Sequence, residues 1–198
     1  MSQRDPKPKK TTASSPPIVW WFSAVSVGLM WLETDRLLLR RPFLSDAAGL
    51  QSILGDDDAM RYTRRLATLR ECRRYIAGHE CQRRKLGYGP WLVVEKASRA
   101  IIGFGGLYDD PFEVGWGIEI SYQFAKTAWG NGYATELTEF CLRLAHERLG
   151  FAEVRAFAHP DNAASQRVLT KTGFERQRFI PEMNRYLFAH RCVSIDRP

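Results

Sequence analysis

The sequence has little cysteine: Cys72, Cys81, Cys141 and Cys192 are the only four among 198 residues. They form no C-x-x-C pair, and no histidine lies at zinc-finger spacing. A disulfide scaffold is therefore excluded, and the four read as buried or idle thiols in a reducing compartment, with no metal site. Long hydrophobic runs are also missing. A bilayer span takes roughly 17–25 apolar residues, and the longest run here, Ile18 to Leu32, has 15. There is no internal repeat, no G-K-[ST] phosphate loop and no aromatic-interleaved RNA motif. A repeat array, a P-loop NTPase and a dedicated nucleic-acid module drop out with them.

What remains is an ordinary globular composition, 44% hydrophobic and 26% charged. The net charge of +7 is unevenly placed. Residues 61–85 carry nine basic groups against Glu71 and Glu80, and the polar stretch 1–17 carries most of the other excess. The remainder of the chain is slightly acidic. A solvated helix face explains the 61–85 segment most simply; an acidic or RNA-rich acceptor surface, such as a ribosome-associated substrate, is the alternative.

Residues 1–31 read as an N-terminal extension. The first 17 are rich in proline, lysine and serine and cannot bury a core. The apolar run behind Lys7, Lys9 and Lys10 has the pattern of a signal peptide, with Ala24-Val25-Ser26 as its small-residue site. An upstream start codon ahead of Met30 accounts for the same residues without a membrane.

From Leu32 to Cys192 the pattern predicts one mixed α/β domain, and residues 193–198 a short tail. Thr34–Arg41 alternates as a first strand. Ser45 and Asp46 cap a helix through Leu54, and Thr68 with Glu71 forms a capping box for a second helix ending at Gly87. Two apolar runs, Trp91–Glu95 and Ala100–Leu107, pair as a hairpin. A long strand is expected over Glu113–Tyr122, then a helix from Gly132 to Leu149, a strand over Glu153–His159, a helix over Asn162–Thr172, and two closing strands, Phe174–Arg178 and Asn184–Arg191.

Three stretches carry chemistry. The strand Glu113–Tyr122 puts Trp116, Ile118, Ile120 and Tyr122 on one face, and Gly115, Gly117, Glu119 and Ser121 on the other. The second face is stripped, as where something approaches the sheet closely. Directly after it, Ala128-Trp129-Gly130-Asn131-Gly132-Tyr133-Ala134-Thr135-Glu136 opens a helix, where glycines let backbone N–H groups converge on an anion. Further on, Asn162-Ala163-Ala164-Ser165 starts a helix that stops at Gly173. Asn162 and Ser165 fit plain capping roles there.

Together with Leu32-Glu33-Thr34-Asp35-Arg36-Leu37-Leu38-Leu39-Arg40, the W-G-N-G-Y-A-T-E run and the N-x-x-S-x-x-V-L-x-x-x-G-F motif resemble the GCN5-related N-acetyltransferase (GNAT) superfamily, in particular its RimJ/RimL-like ribosomal-protein branch. The resemblance covers residues 32–191. It implies a central, mostly antiparallel twisted sheet flanked by helices. It also implies acetyl-CoA as co-substrate and direct acetyl transfer to a primary amine, either a protein α-amine or a small amine, without metal. By position, the amides of Gly130, Asn131, Gly132, Tyr133 and Ala134 would hold the pyrophosphate. Ile120, Ser121 and Tyr122 would pair with pantetheine through their backbone, and Asn162 would bind the pantetheine arm. A cytosolic co-substrate implies a cytoplasmic protein with no membrane partner.

Two positions depart from the family pattern. Thr127 stands where a Gln or Arg usually opens the phosphate loop, and Leu169 stands where many relatives carry a tyrosine acid. For the general base, Glu119 is the first candidate and Glu182 the second; a carboxylate neutralised by a basic neighbour remains the plain alternative. Ser165 is the hydroxyl that could replace the missing tyrosine, or it could be an ordinary first-turn serine. A non-catalytic acyl-CoA-binding module and a ribosome-associated protein using residues 61–85 stay open as other functions.

Overall fold

The computed structural model describes residues 31–192, so the readings made for residues 1–30 and 193–198 lie outside the described residues. Eight strands form one sheet: β1 (Trp31–Glu33), β2 (Leu37–Arg40), β3 (Trp91–Glu95), β4 (Ile101–Tyr108), β5 (Glu119–Phe124), β6 (Glu153–Ala158), β7 (Glu175–Ile180) and β8 (Arg185–Arg191). They lie in the order β1-β2-β3-β4-β5-β6-β8-β7. Every neighbouring pair is antiparallel except β5 with β6.

Helices α1 (Ala47–Leu54) and α2 (Leu69–Leu86) cover one face. The other face carries α3 (Tyr133–Arg143), continued by a π-helical turn over Leu144–Arg148, and α4 (Ala163–Lys171). β3 shows why both faces need cover. Its Trp91 and Val93 enter the core under α3, while Leu92 and Val94 enter the core under α1 and α2. A strand buried on both sides reads as continuous hydrophobics, and W-L-V-V does.

α2 starts as its sequence signals. Glu71 N–H donates to the Thr68 hydroxyl at 3.2 Å, and Thr68 N–H donates back to the Glu71 carboxylate at 2.9 Å. Cys72, Ile76, His79 and Arg83 form its buried stripe. Arg83 therefore departs from the solvated-face expectation. It is 4% exposed, bonded to Glu80 and to the Pro90 carbonyl, and lies over the Trp91 ring.

Three boundaries also differ. The strand expected over Thr34–Arg41 is β2 alone, shortened to Leu37–Arg40, and an unexpected strand, β1, precedes it across a turn at Thr34–Arg36, with Leu32 paired to Leu39. The long strand expected from Glu113 begins only at Glu119. Gly115 and Gly117 sit at φ 103° and 75°, and an added Cβ at either would meet nothing within 4 Å. Those glycines serve a turn rather than a close approach. Close approach happens on β4, where a Cβ on Gly105 would come within 2.4 Å of the Ser121 carbonyl oxygen. The third boundary is the helix from Gly132, which loses α-geometry at Leu144 instead of running regularly to Leu149.

Candidate active site

β5 and β6 pair at a single register position, Glu119 with Arg155. The Arg155 amide still donates to the Ile118 carbonyl at 3.0 Å, but beyond Glu119 the two strands pair no further. A cavity of about 740 Å³ opens there. Its walls are Ile120–Phe124 on one side and Ala156–His159 with the start of α4 on the other. At one end lies the loop leading into α3, and at the other Tyr75, Tyr108, Phe112 and Glu119.

The α3 end is built for an anion. Gly132 is the N-cap at φ 79°, with no side chain capping the first turn, so the first amides of α3 are left for a ligand. Gly130 has the same φ of 79°, a left-handed geometry that a side chain would strain. Arg36, not singled out among the site residues in the sequence, ties this loop down. Its guanidinium donates to the Asn131 carbonyl at 2.8 Å and to Glu136 at 2.7 Å, and it lies over the Tyr133 ring. Thr34 adds a hydrogen bond to the same Glu136 carboxylate at 2.5 Å. Arg36, with Thr34, is thus the brace of the loop. The signal for Arg36 was a charge just ahead of a buried strand, and that alone says nothing of a contact a hundred residues away.

Glu119 forms the floor at the opposite end. It is 4% exposed, and its carboxylate accepts one hydrogen bond from the Tyr108 hydroxyl at 3.3 Å. Burial, reinforced by the charge of Asp110 and to a lesser degree by Asp109 and Glu113, pushes its pKa up to about 8, against the Tyr108 hydrogen bond, which lowers it. No basic side chain pairs with it among the described residues, so the neutralised-carboxylate alternative fails on geometry. A carboxyl poised between protonated and ionised near neutral pH is suited to accepting a proton. Behind it, His79 is buried among Tyr75, Phe104, Tyr108 and Phe112, and desolvation holds it neutral with a pKa lowered to about 3.

The structure places the other expected residues as follows. Ile120, Ser121, Tyr122, Gly130, Gly132, Tyr133 and Ala134 all border the cavity. Asn131 does not; its side chain is exposed and its amide turns back to the Trp129 carbonyl at 3.3 Å. Asn162 borders the cavity and also caps α4, accepting from the Ser165 amide at 3.1 Å. Ser165 borders it too, and its hydroxyl lies 3.0 Å from the Tyr122 hydroxyl. Leu169 is core. Glu182 does not line the main cavity; it lies on a neighbouring groove with Val114, Phe179 and Pro181, which meets the cavity at Glu113 and Met183. Arg61 and Arg64, from the basic segment, reach the cavity rim on the α1–α2 loop. That loop bridges the cleft: Asp58 pairs with Lys126 at 2.5 Å on one bank, and Tyr62 stacks on His159 at 5.2 Å on the other.

Known proteins match both the chain and this architecture. Residues 36–175 match the family model described as an acetyltransferase (GNAT) domain. A Bacillus subtilis relative described as the uncharacterized protein YkkB is 34% identical over 168 residues, covering 83% of this chain and 96% of its own. Among solved structures, a ribosomal-protein-S5-alanine acetyltransferase from Vibrio fischeri superposes with a TM-score of 0.65 at 16% identity, over 83% of this chain and 97% of that one. RimJ of Mycobacterium smegmatis, in complex with CoA-disulfide, does so with a TM-score of 0.66 at 17% identity, over 81% and 84%. The splayed β5–β6 cleft, with an uncapped helix N-terminus at one end, is therefore set in a shared scaffold: the chain belongs to the GNAT family of acetyltransferases.

Proposed function

We propose that this protein transfers the acetyl group of acetyl-CoA directly to a primary amine. One observation carries the reading: a single cavity joins an anion-ready helix N-terminus to a buried carboxyl that titrates near neutrality. The residues at the α3 end fit a pyrophosphate, because the first-turn amides are uncapped and Gly130 and Gly132 keep side chains away from them. Pantetheine would lie in the β5–β6 cleft, where Ile120 and Tyr122 face a strand that has moved off. Asn162 would meet it from the start of α4.

The chemistry has three demands: an amine freed of its proton, a stabilised oxyanion and a protonated thiolate. Glu119 serves the first. The acceptor arrives as an ammonium, and the acidic surroundings of Asp109, Asp110 and Glu113 favour a cation there. Ser165 is the hydroxyl beside the departing sulfur. The acceptor is a small amine or a protein α-amine; the ribosomal-protein acetyltransferase among the structural neighbours and the basic rim residues Arg61 and Arg64 favour the latter.

The test is amine-dependent release of CoA thiol across a panel of peptides and small amines. Glu119→Gln should release CoA more slowly by about 10²–10⁴ while binding acetyl-CoA normally. Acetyl-CoA binding with no amine-dependent turnover on any acceptor would instead make the protein a binding module.

A further inference from the structure

Ser165 does not stand alone. The Tyr122 hydroxyl lies 3.0 Å from the Ser165 hydroxyl and 3.3 Å from the Ser165 carbonyl. Both residues border the cavity, Tyr122 from the β5 wall and Ser165 from the α4 wall. Tyr122 lies three residues beyond Glu119 on β5, in the direction of the α3 loop, and Ser165 meets it from α4. The thioester carbonyl must meet the amine near Glu119, so the sulfur, one bond away on the cofactor side, falls on the stretch that this hydroxyl pair flanks. The two bonds also divide the labour. Ser165 can donate its proton to the Tyr122 oxygen, while Tyr122 spends its own on a long bond to a carbonyl that already has the option of other partners.

We propose that Tyr122 is the proton donor to the departing CoA sulfur, and that Ser165 positions it and stabilises the charge left on its oxygen. The proposal rests on the acetyl-transfer reading above. In the step, the amine nitrogen has bonded to the carbonyl carbon, and the carbon–sulfur bond breaks with its electron pair remaining on sulfur. The Tyr122 proton passes to that sulfur. The second amine proton, released as the tetrahedral intermediate collapses, refills the tyrosine through water in the cleft. Glu119 has already taken the first. Burial lifts the Tyr122 pKa to about 12, so a free tyrosinate would be costly, and taking up one proton while giving another avoids it. The Ser165 bond pulls that pKa downward, which is the direction a donor needs.

This assignment gives Tyr122 a role beyond its packing against the core, and it differs from a donor role for Ser165. Tyr122→Phe keeps the ring and removes the proton. It should lower kcat with acetyl-CoA by about 10²–10³ and leave the acetyl-CoA-induced rise in melting temperature unchanged. Ser165→Ala should cost only about tenfold, and the double variant should be no slower than Tyr122→Phe alone. The decisive readout is the selenium analogue of acetyl-CoA, whose selenolate leaves without needing a proton. With that donor the Tyr122→Phe defect should shrink to near unity, whereas the Glu119→Gln defect should persist. A Tyr122→Phe defect that persists with the selenium donor would make the residue a support of the cleft and overturn the proposal. So would wild-type turnover of Tyr122→Phe with acetyl-CoA, or a Ser165→Ala loss larger than that of Tyr122→Phe. Each of these results is read against active wild-type enzyme, so none is confused with absence of acetyl transfer.

Discussion

Replacing Glu119 by Gln should stabilise the fold at alkaline pH and leave it nearly unchanged in acid. Glu119 binds its proton up to about pH 8 in the native state, while its ordinary value is 4.5. Between those values the native state holds more protons than the unfolded chain, so stability falls as pH rises through the window. The contribution is intact below the unfolded value and fully lost above the native one. A displacement of that size corresponds to about 5 kcal/mol as a ceiling. Glutamine carries no charge, and its amide oxygen still accepts the Tyr108 hydrogen bond that the carboxylate accepts at 3.3 Å. Urea denaturation of both proteins at about pH 5 and about pH 9 isolates the group, because every other titration is common to the pair. Wild type and variant should agree within about 1 kcal/mol at the lower pH and diverge at the higher, with the variant more stable. Parallel stability curves would show that Glu119 is ionised and compensated in the native state, and would refute the reasoning.

Other expectations follow from the cradle and the ends of the chain. Gly132→Glu, which puts a carboxylate and a strained φ where the pyrophosphate belongs, should abolish the acetyl-CoA-induced rise in melting temperature in a variant that circular dichroism shows to be folded; normal binding would remove the cradle assignment. Arg36→Ala, which frees the Asn131 carbonyl and Glu136, should weaken acetyl-CoA affinity about tenfold by calorimetry, the worth of one charge-assisted hydrogen bond, and an unchanged Kd would reduce Arg36 to a surface residue. A chain begun at Met30 keeps β1, whose Leu32 is buried, and should fold and bind acetyl-CoA like the full sequence; a large loss of stability would place residues 18–29 in the core.

Local signals carried much of this fold in the sequence. Thr68 and Glu71 announced α2 because a capping box is a contact between residues three apart. Gly87 and Gly173 announced helix ends because their φ values of 83° and 86° suit glycine. Ile118, Glu119, Ile120 and Ser121 announced their own alternation, so the carboxyl was legible as a candidate base. What the sequence hid was set by distance along the chain. β1 went unread because the apolar run into Leu32 blurs its start, so the first strand was expected only from Thr34. The strand over 113–118 was expected because Trp116 and Ile118 alternate with glycines, a pattern that two positive-φ turn residues reproduce. The brace of Arg36 on Asn131 and the meeting of Tyr122 with Ser165 join residues 95 and 43 apart, and no spacing rule encodes either.

The central claim is that a buried carboxyl on β5 deprotonates an amine for acetyl transfer from acetyl-CoA. Its most direct test is kcat/KM for CoA release with the best acceptor, measured from about pH 5 to about pH 10 in wild type and Glu119→Gln. The wild-type profile should rise through a group titrating near 8 and level off, as the Glu119 carboxyl ionises. The Glu119→Gln profile should lack that limb, lie about 10²–10⁴ lower near neutrality, and close the gap at alkaline pH as neutral amine becomes abundant. Superimposable profiles would contradict the account.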